Sequence, residues 1–196
     1  NNESDEESAI ELFEQTEHTV FDIKNKKSGF SYAYVNNQAV NKVKEELILF
    51  LNNDTEVITP NWLSQMVGYL QIDGVGAVGA RLLYPDNTVQ HVGVLHDLHH
   101  GLPGHSLKHL AHYDGGYMGF AKVLRNYSCV TAACLLMRRD DFNSLGQFDE
   151  KDFAVAYNDV DLCYRIIESG KRVVYTPTAE LYHYEGKSRG FKDNPK

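Results

Sequence analysis

A run of five apolar residues that stops at a polar triplet constrains the fold more than any other part of the chain. Leu47–Leu51 is too short for an isolated helix and has the length of a strand buried on both faces, as in the middle of a parallel sheet. The run ends at Asn52-Asn53-Asp54. Because ligands of open parallel sheets lie beyond the carboxyl ends of the strands, this triplet falls where a binding site is expected.

The side chains of the triplet suit a divalent cation. Asp54 supplies a hard oxygen ligand and Asn52 a polar oxygen of similar reach, a pairing suited to Mg²⁺ or Mn²⁺ that holds phosphate oxygens. A polar turn ahead of the next helix, expected from Pro60 onward, has the same composition. The triplet alone leaves both interpretations open.

Strand and helix patterns alternate along the chain, which predicts an α/β sheet flanked by helices. Residues 88–125 hold seven of the nine histidines and lack clear periodicity, so we expect a long binding loop or lid there. The first helix is expected to bury Ile10, Leu12 and Phe13. The predicted strands are 20–23, 47–51, 75–80, 130–137 and 172–175, and the predicted helices are 5–16, 38–44, 61–71, 138–145 and 159–169.

Charge and composition limit the partners of this chain. Its 196 residues carry a net charge of −8, which argues against DNA or RNA. No apolar run approaches the roughly 20 residues that span a bilayer, and no signal peptide is visible, so we expect a cytoplasmic location. The three cysteines form no CxxC pair, which argues against a disulfide framework.

Two later segments carry further side chains able to perform chemistry. Asp159 and Asp161 stand at the start of a predicted helix, where an ionised carboxylate serves equally as a cap and as a general base. His183 is a candidate metal ligand or an ordinary surface histidine. The segment that follows suits phosphate binding or a solvated tail, and it contains Lys187, Ser188 and Arg189.

Three other classes of protein remain open from these residues. A metal-dependent phosphohydrolase would use Asp54, Asp159 and Asp161, although two-metal sites need more carboxylates at strand ends. A zinc module would use His105, His109 and His112, which lie at helical spacing. A non-catalytic carbohydrate-binding module would use some of the 12 tyrosines for sugar stacking.

Six segments, in order along nearly the whole chain, share motifs with a known family. They are FLNNDTEV (50–57), GARLLYPD (79–86), VQHVGV (89–94), VTAACLL (130–136), NDVDLCYR (158–165) and LYHYEGKSRG (181–190). Together they resemble the family 2 glycosyltransferases, above all the bacterial enzymes, including rhamnosyltransferase-like members, that build O-antigen and other cell-surface polysaccharides.

The resemblance implies a GT-A fold: a mixed, mostly parallel sheet flanked by helices, in one glycosyltransferase domain over residues 1–196. Residues 1–87 would form the remainder of the nucleotide-sugar-binding half, and residues 88–196 the acceptor-binding and catalytic half. The family's first βαβ unit has no counterpart in this sequence, so the resemblance also implies that the chain is N-terminally incomplete.

The resemblance further implies inverting sugar transfer from a nucleotide-diphosphate sugar to a saccharide or lipid-linked acceptor hydroxyl, with Mn²⁺ or Mg²⁺. A lipid-linked acceptor would bring the protein into peripheral contact with the inner face of the cytoplasmic membrane. The family's DxD motif falls on Asn52-Asn53-Asp54, with Asn52 in place of the first Asp.

Site roles follow from the same resemblance. Asp159 matches the catalytic carboxylate, with Asn158 in place of the family's Glu, and Asp54 and His183 match the metal ligands. The remaining implied contacts are Asn37, Asn52 and Asn53 to the donor, Thr131, Asn158 and Asp161 on the acceptor side, and Lys187, Ser188 and Arg189 on the phosphate side.

Overall fold

The protein folds around a central sheet with helices packed on it. The computed structural model describes residues 1–3, 6–26 and 29–185. The helices are α1 (Glu7–Gln15), α2 (Tyr32–Val40), α3 (Trp62–Leu70), α4 (Arg139–Ser144) and α5 (Asn158–Glu168). The strands are β1 (Leu47–Leu51), β2 (Thr55–Val57), β3 (Val75–Leu83), β4 (Val89–His91), β5 (Val94–His99), β6 (Leu102–His105), β7 (Arg125–Asn126), β8 (Cys134–Arg138) and β9 (Arg172–His183).

The central sheet is mixed, as predicted, but it is not mostly parallel. Its strand order is β1-β8-β3-β9-β2, with β4 beside β3 and β7 beside β9. Among the described strands only β3 and β9 pair in parallel, and every other pair in this sheet is antiparallel. A continuous apolar run is typical of parallel sheets but does not fix the direction of the neighbouring strand, which explains this error.

Strand β1 has the predicted bounds but a different position. It lies at one end of the strand order and pairs antiparallel with β8, not in the middle of a parallel sheet. Ile48 and Phe50 are buried in one hydrophobic cluster, whereas Leu47 and Leu49 are partly buried against a second cluster. Leu51 is 42% exposed, so the strand leaves the core just before the polar triplet.

Two helices cover opposite clusters of the core. On α3 the spacing of Trp62, Met66 and Leu70 predicts one buried face, which is confirmed because Met66 and Leu70 are buried and Trp62 packs against the same cluster. On α5 the spacing predicts that Val160, Cys163 and Ile167 face inward. This is confirmed for Cys163, which is buried, and for Val160, which packs against the core, but Ile167 is 41% exposed and Ile166 is buried instead.

The small residues in Val75-Gly-Ala-Val-Gly-Ala80 predict that neighbouring segments approach β3 closely, and this is confirmed. All nine positions of the strand are buried. A Cβ added to Gly79 would lie 2.4 Å from Val130, and one added to Gly76 would lie 2.6 Å from Ile166 of α5. Real Cβ atoms do not come this near to another heavy atom, so both glycines are needed for this packing.

The N-terminal predictions need correction. Helix α1 buries none of its residues, and Ile10 and Leu12 are exposed. Helix α2 begins earlier than predicted because the Ser31 hydroxyl accepts a hydrogen bond from the Tyr34 N–H and caps it. Residues 20–23 form no assigned strand, although the Ile23 N–H donates to the Asn1 carbonyl at 2.9 Å.

Residues 88–125 contain more regular structure than predicted. They form β4, the β5–β6 hairpin and a 3-10 helix, Tyr117–Lys122. The last strand is also longer than predicted, because β9 continues through Pro177 with a register shift opposite Ala80 and Arg81. Among the described residues no helix is long and apolar enough to cross a membrane.

Candidate active site

The ends of β1 and β9 meet at one point of the sheet. Asn52 directly follows β1, and Asp54 precedes β2, whose first residue Thr55 pairs with His183. Asp54 Oδ1 lies 3.0 Å from His183 Nε2, and Asn52 Nδ2 lies 3.1 Å from the same nitrogen. The structure therefore brings together three of the predicted site residues, while Asn53 is exposed in the turn between them.

A buried glutamine fixes the proton on His183. Gln90 Nε2 donates to the backbone carbonyl of His183 at 3.1 Å, so its Oε1 faces His183 Nδ1 at 2.6 Å. Because an amide oxygen can only accept, Nδ1 carries a proton, and in the neutral form of the ring Nε2 presents a lone pair. This is the arrangement in which a histidine binds metal through Nε2 while a partner orients its other nitrogen.

The contact between Asp54 and His183 fits a divalent cation. Asp54 Oδ1 is buried and has no hydrogen-bond partner among the described residues when Nε2 of His183 is unprotonated. At 3.0 Å the two atoms repel unless a positive charge lies between them, which either a second ring proton or a bound cation supplies. No group of three His, Cys, Asp or Glu side chains able to hold a metal occurs among the described residues. A carboxylate and an imidazole suit Mg²⁺ or Mn²⁺, which are held by few protein groups together with water and phosphate oxygens.

The carboxylate of Asp159 is held at the start of α5. Its Oδ2 accepts from the Ala132 N–H at 3.0 Å and its Oδ1 from the Val160 N–H at 2.9 Å. Tyr32 donates its hydroxyl proton to the Ala132 carbonyl at 3.1 Å. Burial raises the pKa of Tyr32 and the charge of Asp159 raises it further, so this phenol remains a donor. The carboxylate is therefore fixed between the loop before β8 and the helix.

A chain of contacts connects Asp159 to His183. Ala132 follows Thr131, whose N–H donates to His91 Nε2 at 3.3 Å. His91 follows Gln90, the residue that holds His183. His91 also faces a second histidine, with Nδ1 2.9 Å from His105 Nδ1.

Sequence reasoning missed Gln90 and His91, and it named His105 only as a candidate zinc ligand. The segment VQHVGV carried the family resemblance, but no local pattern shows that β4 lies beside the end of β9. In the sequence, Gln90 and His183 are 93 residues apart.

Other predicted residues have different surroundings. Asn37 is buried, with Nδ2 donating to the Phe148 carbonyl at 2.9 Å and Oδ1 accepting from the Phe148 N–H at 3.1 Å. Both ends of this amide are thus engaged inside the protein, and the contact of Asn37 with the nucleotide-sugar donor stays a prediction. Asp161 accepts from Arg165 Nε at 3.0 Å. Asn158 is buried and donates to the Phe153 carbonyl at 3.3 Å.

The acceptor-side roles of Thr131, Asn158 and Asp161 stay predictions. The predicted phosphate-side residues lie outside the described part of the chain, namely Lys187, Ser188 and Arg189.

The structure also bears on the rival classes. The proposed zinc ligands do not lie on a helix, although their spacing is helical, since His105 is in β6 and His109 and His112 lie in turns. The His109 ring stacks on Tyr84 at 5.3 Å between centroids. Asp161, the third carboxylate of the phosphohydrolase hypothesis, is paired with Arg165.

Known proteins resemble the chain at the sequence level. It is 46% identical over 169 residues to "Uncharacterized protein y4gI" of Sinorhizobium fredii, over 85% of this chain and 18% of that protein. It is 44% identical over 163 residues to "O-antigen biosynthesis protein RfbC" of Myxococcus xanthus, over 82% of this chain and 12% of that protein. It is also 41% identical over 61 residues to "N-acetylglucosaminyl-diphospho-decaprenol L-rhamnosyltransferase" of Mycobacterium tuberculosis, a shorter match that covers 31% of this chain and 20% of that protein. The chain thus spans less than a quarter of the length of these relatives.

Solved structures share the fold. GalNAc-T7 with UDP, GalNAc and Mn²⁺ superposes with a TM-score of 0.68 at 13% identity, over 91% of this chain and 35% of that one. The mannosyltransferase PcManGT from Pyrobaculum calidifontis, with GDP-Man and Mn²⁺, superposes with a TM-score of 0.63 at 15% identity, over 94% of this chain and 45% of that one. Both have the GT-A glycosyltransferase fold. A sequence profile described as "Glycosyltransferase like family 2" matches residues 2–195, and the chain therefore belongs to the family 2 glycosyltransferases.

Proposed function

We propose that this protein transfers a sugar, with inversion, from a nucleotide-diphosphate sugar to the hydroxyl of a saccharide or lipid-linked acceptor in cell-surface polysaccharide synthesis. The observation that carries the proposal is the facing pair of Asp54 Oδ1 and His183 Nε2, 3.0 Å apart at the ends of β1 and β9. The named activities of the rhamnosyltransferase and O-antigen relatives support the pathway. The nucleotides and Mn²⁺ bound by the structural relatives support the donor class.

Asp54 and His183 would hold Mn²⁺ or Mg²⁺, with the amide of Asn52 alongside. When bound, the cation supplies positive charge that stabilises the diphosphate leaving group. Gln90 keeps His183 in the tautomer that this role requires.

Asp159 would act as the general base. The acceptor oxygen bonds to the anomeric carbon, the bond from that carbon to the phosphate oxygen breaks, and the nucleotide diphosphate leaves with the electron pair. The proton of the acceptor hydroxyl passes to the Asp159 carboxylate. Attack opposite the leaving group inverts the anomeric centre in one step, so one catalytic carboxylate is enough. The backbone N–H groups of Ala132 and Val160 hold this carboxylate in place.

Location and acceptor contacts complete the proposal. The enzyme would act in the cytoplasm, with peripheral contact to the inner face of the membrane where the acceptor is lipid-linked. Thr131 and Asn158 flank the loop and helix that hold Asp159, which supports their placement on the acceptor side.

The donor site is tested by thermal unfolding with UDP, dTDP or GDP, each with and without Mn²⁺. A ligand at about 100 times its Kd stabilises a protein by about 2.7 kcal/mol, which raises the Tm of a chain of this size by roughly 5–10 °C. We expect such a rise for one nucleotide, only with Mn²⁺, and none in Asp54→Ala. Asp73→Ala, at an exposed aspartate after α3, should behave as the wild type. A wild type that no nucleotide stabilises would contradict the proposal.

The chemical step is tested by Asp159→Asn. The variant keeps an oxygen that can accept from the Ala132 N–H, so the fold and donor binding should persist. Loss of a general base should lower kcat by about 10²–10⁴-fold in a transfer assay with the nucleotide sugar identified above. A normal kcat would show that Asp159 is not the base.

A further inference from the structure

His91 and His105 form a pair that the proposed function does not use. His91 is fully buried at the end of β4, and His105 is half-buried at the end of β6. Their rings meet edge to face with centroids 5.0 Å apart and Nδ1 atoms 2.9 Å apart. Only one proton can lie between these two nitrogens, so the neighbouring groups decide which ring donates it.

A backbone N–H group decides which of the two rings donates. The Thr131 N–H donates to His91 Nε2 at 3.3 Å, so Nε2 carries a lone pair and the proton of the neutral ring is on Nδ1. His91 therefore donates through Nδ1 to His105 Nδ1. His105 must then carry its own proton on Nε2. The direction of the whole chain, from Thr131 through His91 to His105, is fixed by one peptide N–H.

Both rings are kept neutral by their surroundings. Burial lowers the pKa of His91 well below its usual value, and the neighbouring His105 and His183 lower it further. Burial also lowers the pKa of His105, as do Lys108 and His183, against the opposing effect of Asp159 and Glu185. His105 is thus a neutral donor that lies near enough to Asp159 and His183 to be influenced by both.

The scaffold around the pair is tightly packed. Gly93, between β4 and β5, has φ +122°, and a Cβ there would lie 2.3 Å from the Tyr127 ring. Ser106 donates its hydroxyl proton to the Gly93 carbonyl at 3.2 Å, and its N–H donates to the same carbonyl at 3.0 Å. His105 pairs with Val94 across the β5–β6 hairpin. These contacts fix the His105 ring against His91.

We propose that His105 is a substrate-binding residue whose Nε2–H donates to a sugar hydroxyl beside Asp159, and that His91 is the positioning residue that sets its tautomer. The proposal rests on the proposed function. No described residue accepts a hydrogen bond from His105 Nε2, so this donor is available to a ligand. A neutral donor near the carboxylates of Asp159 and Glu185 suits an uncharged hydroxyl better than a phosphate.

The tautomers can be measured on the wild type by two-dimensional ¹⁵N–¹H NMR of the imidazole rings at pH 7. We expect His91 with its proton on Nδ1 and His105 with its proton on Nε2. In His91→Phe the His105 signals should move toward a mixture of tautomers, whereas in His96→Phe, at an exposed position of β5, they should not move. A His91 ring that is charged, or protonated on Nε2, would overturn the proposal without any variant.

Binding measurements show whether the hydroxyl that His105 contacts belongs to the transferred sugar or to the acceptor. Titration calorimetry with Mg²⁺ compares the nucleotide diphosphate with its sugar conjugate in the wild type, His105→Ala and His96→Ala. A lost neutral hydrogen bond weakens binding by about 3- to 10-fold. If the hydroxyl belongs to the transferred sugar, His105→Ala weakens binding of the conjugate alone. If it belongs to the acceptor, the KM for the acceptor rises by the same factor and donor binding is unchanged.

The outcomes separate the two proposals. If His105→Ala changes neither donor binding nor the acceptor KM, the role of His105 is wrong while the proposed function stands. If the wild type binds no nucleotide, the proposed function fails, and the NMR result still decides the hydrogen-bond chain.

Discussion

Gln90 decides which atom of His183 can bind a cation. Its amide is oriented by the backbone carbonyl of His183, and its oxygen in turn holds the proton on His183 Nδ1. Nε2 then lies between Asp54 Oδ1 and the Asn52 amide. A residue that never touches the ligand therefore controls the ligand's binding site.

Replacing Gln90 with Leu keeps its approximate size and removes this control. Loss of such an outer partner should weaken Mn²⁺ binding by about 10–100-fold, measured by calorimetry in the presence of the bound nucleotide. The free energy of unfolding should also fall by about 1–3 kcal/mol, because the His183 carbonyl and ring N–H lose their partner. Gln71→Leu, at an exposed position after α3, is the matched control. Reduced stability with unchanged Mn²⁺ affinity would mean that Gln90 is only structural.

The sequence identifies some of these residues and not others. Asn52, Asp54 and His183 are recognisable because a polar triplet follows an apolar run and a family motif supplies the distant histidine. Gln90 and His91 lack such a signal, because their roles depend on β4 lying beside the end of β9. The bonds of Asn37 to the Phe148 backbone were not foreseen either, because an Asn in a polar sequence looks the same whether its amide faces a ligand or the protein interior.

At the scale of secondary-structure elements, β3 determines how closely the layers approach. Its glycines are placed against Val130 and against Ile166 of α5, and the parallel partner β9 carries His183 at its end. Any widening of this packing would shift the strand that holds the site.

Two glycine-to-alanine changes should have opposite effects on stability. Gly79→Ala forces a Cβ to within 2.4 Å of Val130 and should destabilise the fold by about 1–3 kcal/mol. Gly68→Ala, within α3, meets nothing within 4 Å and should stabilise it by about 0.5–1 kcal/mol through better helix propensity. Urea denaturation of both variants measures these changes. Equal effects of the two substitutions would show that β3 is not closely packed in solution.

Sequence patterns predict elements better than their arrangement. The apolar run of β1, the face of α3 and the small residues of β3 are encoded locally and were found. The direction and order of the strands depend on pairing between distant segments, so the predicted predominance of parallel pairs is wrong. The β5–β6 hairpin was missed because its two-residue turn, His100-Gly101, begins with a histidine at positive φ, and because Asp97 inside β5 also has positive φ where the strand register shifts. Composition reveals neither feature.

At the scale of the whole molecule, buried neutral histidines couple stability to pH. The unfolded chain releases these side chains to water, where their pKa is near the ordinary value of about 6.5. In the folded state burial lowers the pKa of His91 and of His105. Below about pH 6.5 the unfolded state therefore binds protons that the folded state does not, and stability falls as the pH decreases toward the folded-state pKa values. The lowered pKa values of Asp86, Asp149 and Glu150 act in a separate window, since those carboxylates take up protons only below about pH 4.5.

The contribution of the buried pair can be isolated by comparing the wild type with His91→Met. Each proton taken up only on unfolding gives a slope of about 1.4 kcal/mol per pH unit, so the variant should lose up to that slope between about pH 6.5 and pH 5. Denaturant titrations at a series of pH values measure it. The variant is expected to be less stable at pH 7 because Thr131 and His105 lose a partner, and the slope, not the absolute stability, carries the test. His96→Met, at an exposed histidine, should keep the wild-type slope. An unchanged slope in His91→Met would mean that His91 is not buried as a neutral ring, and that the hydrogen-bond chain to His105 does not form.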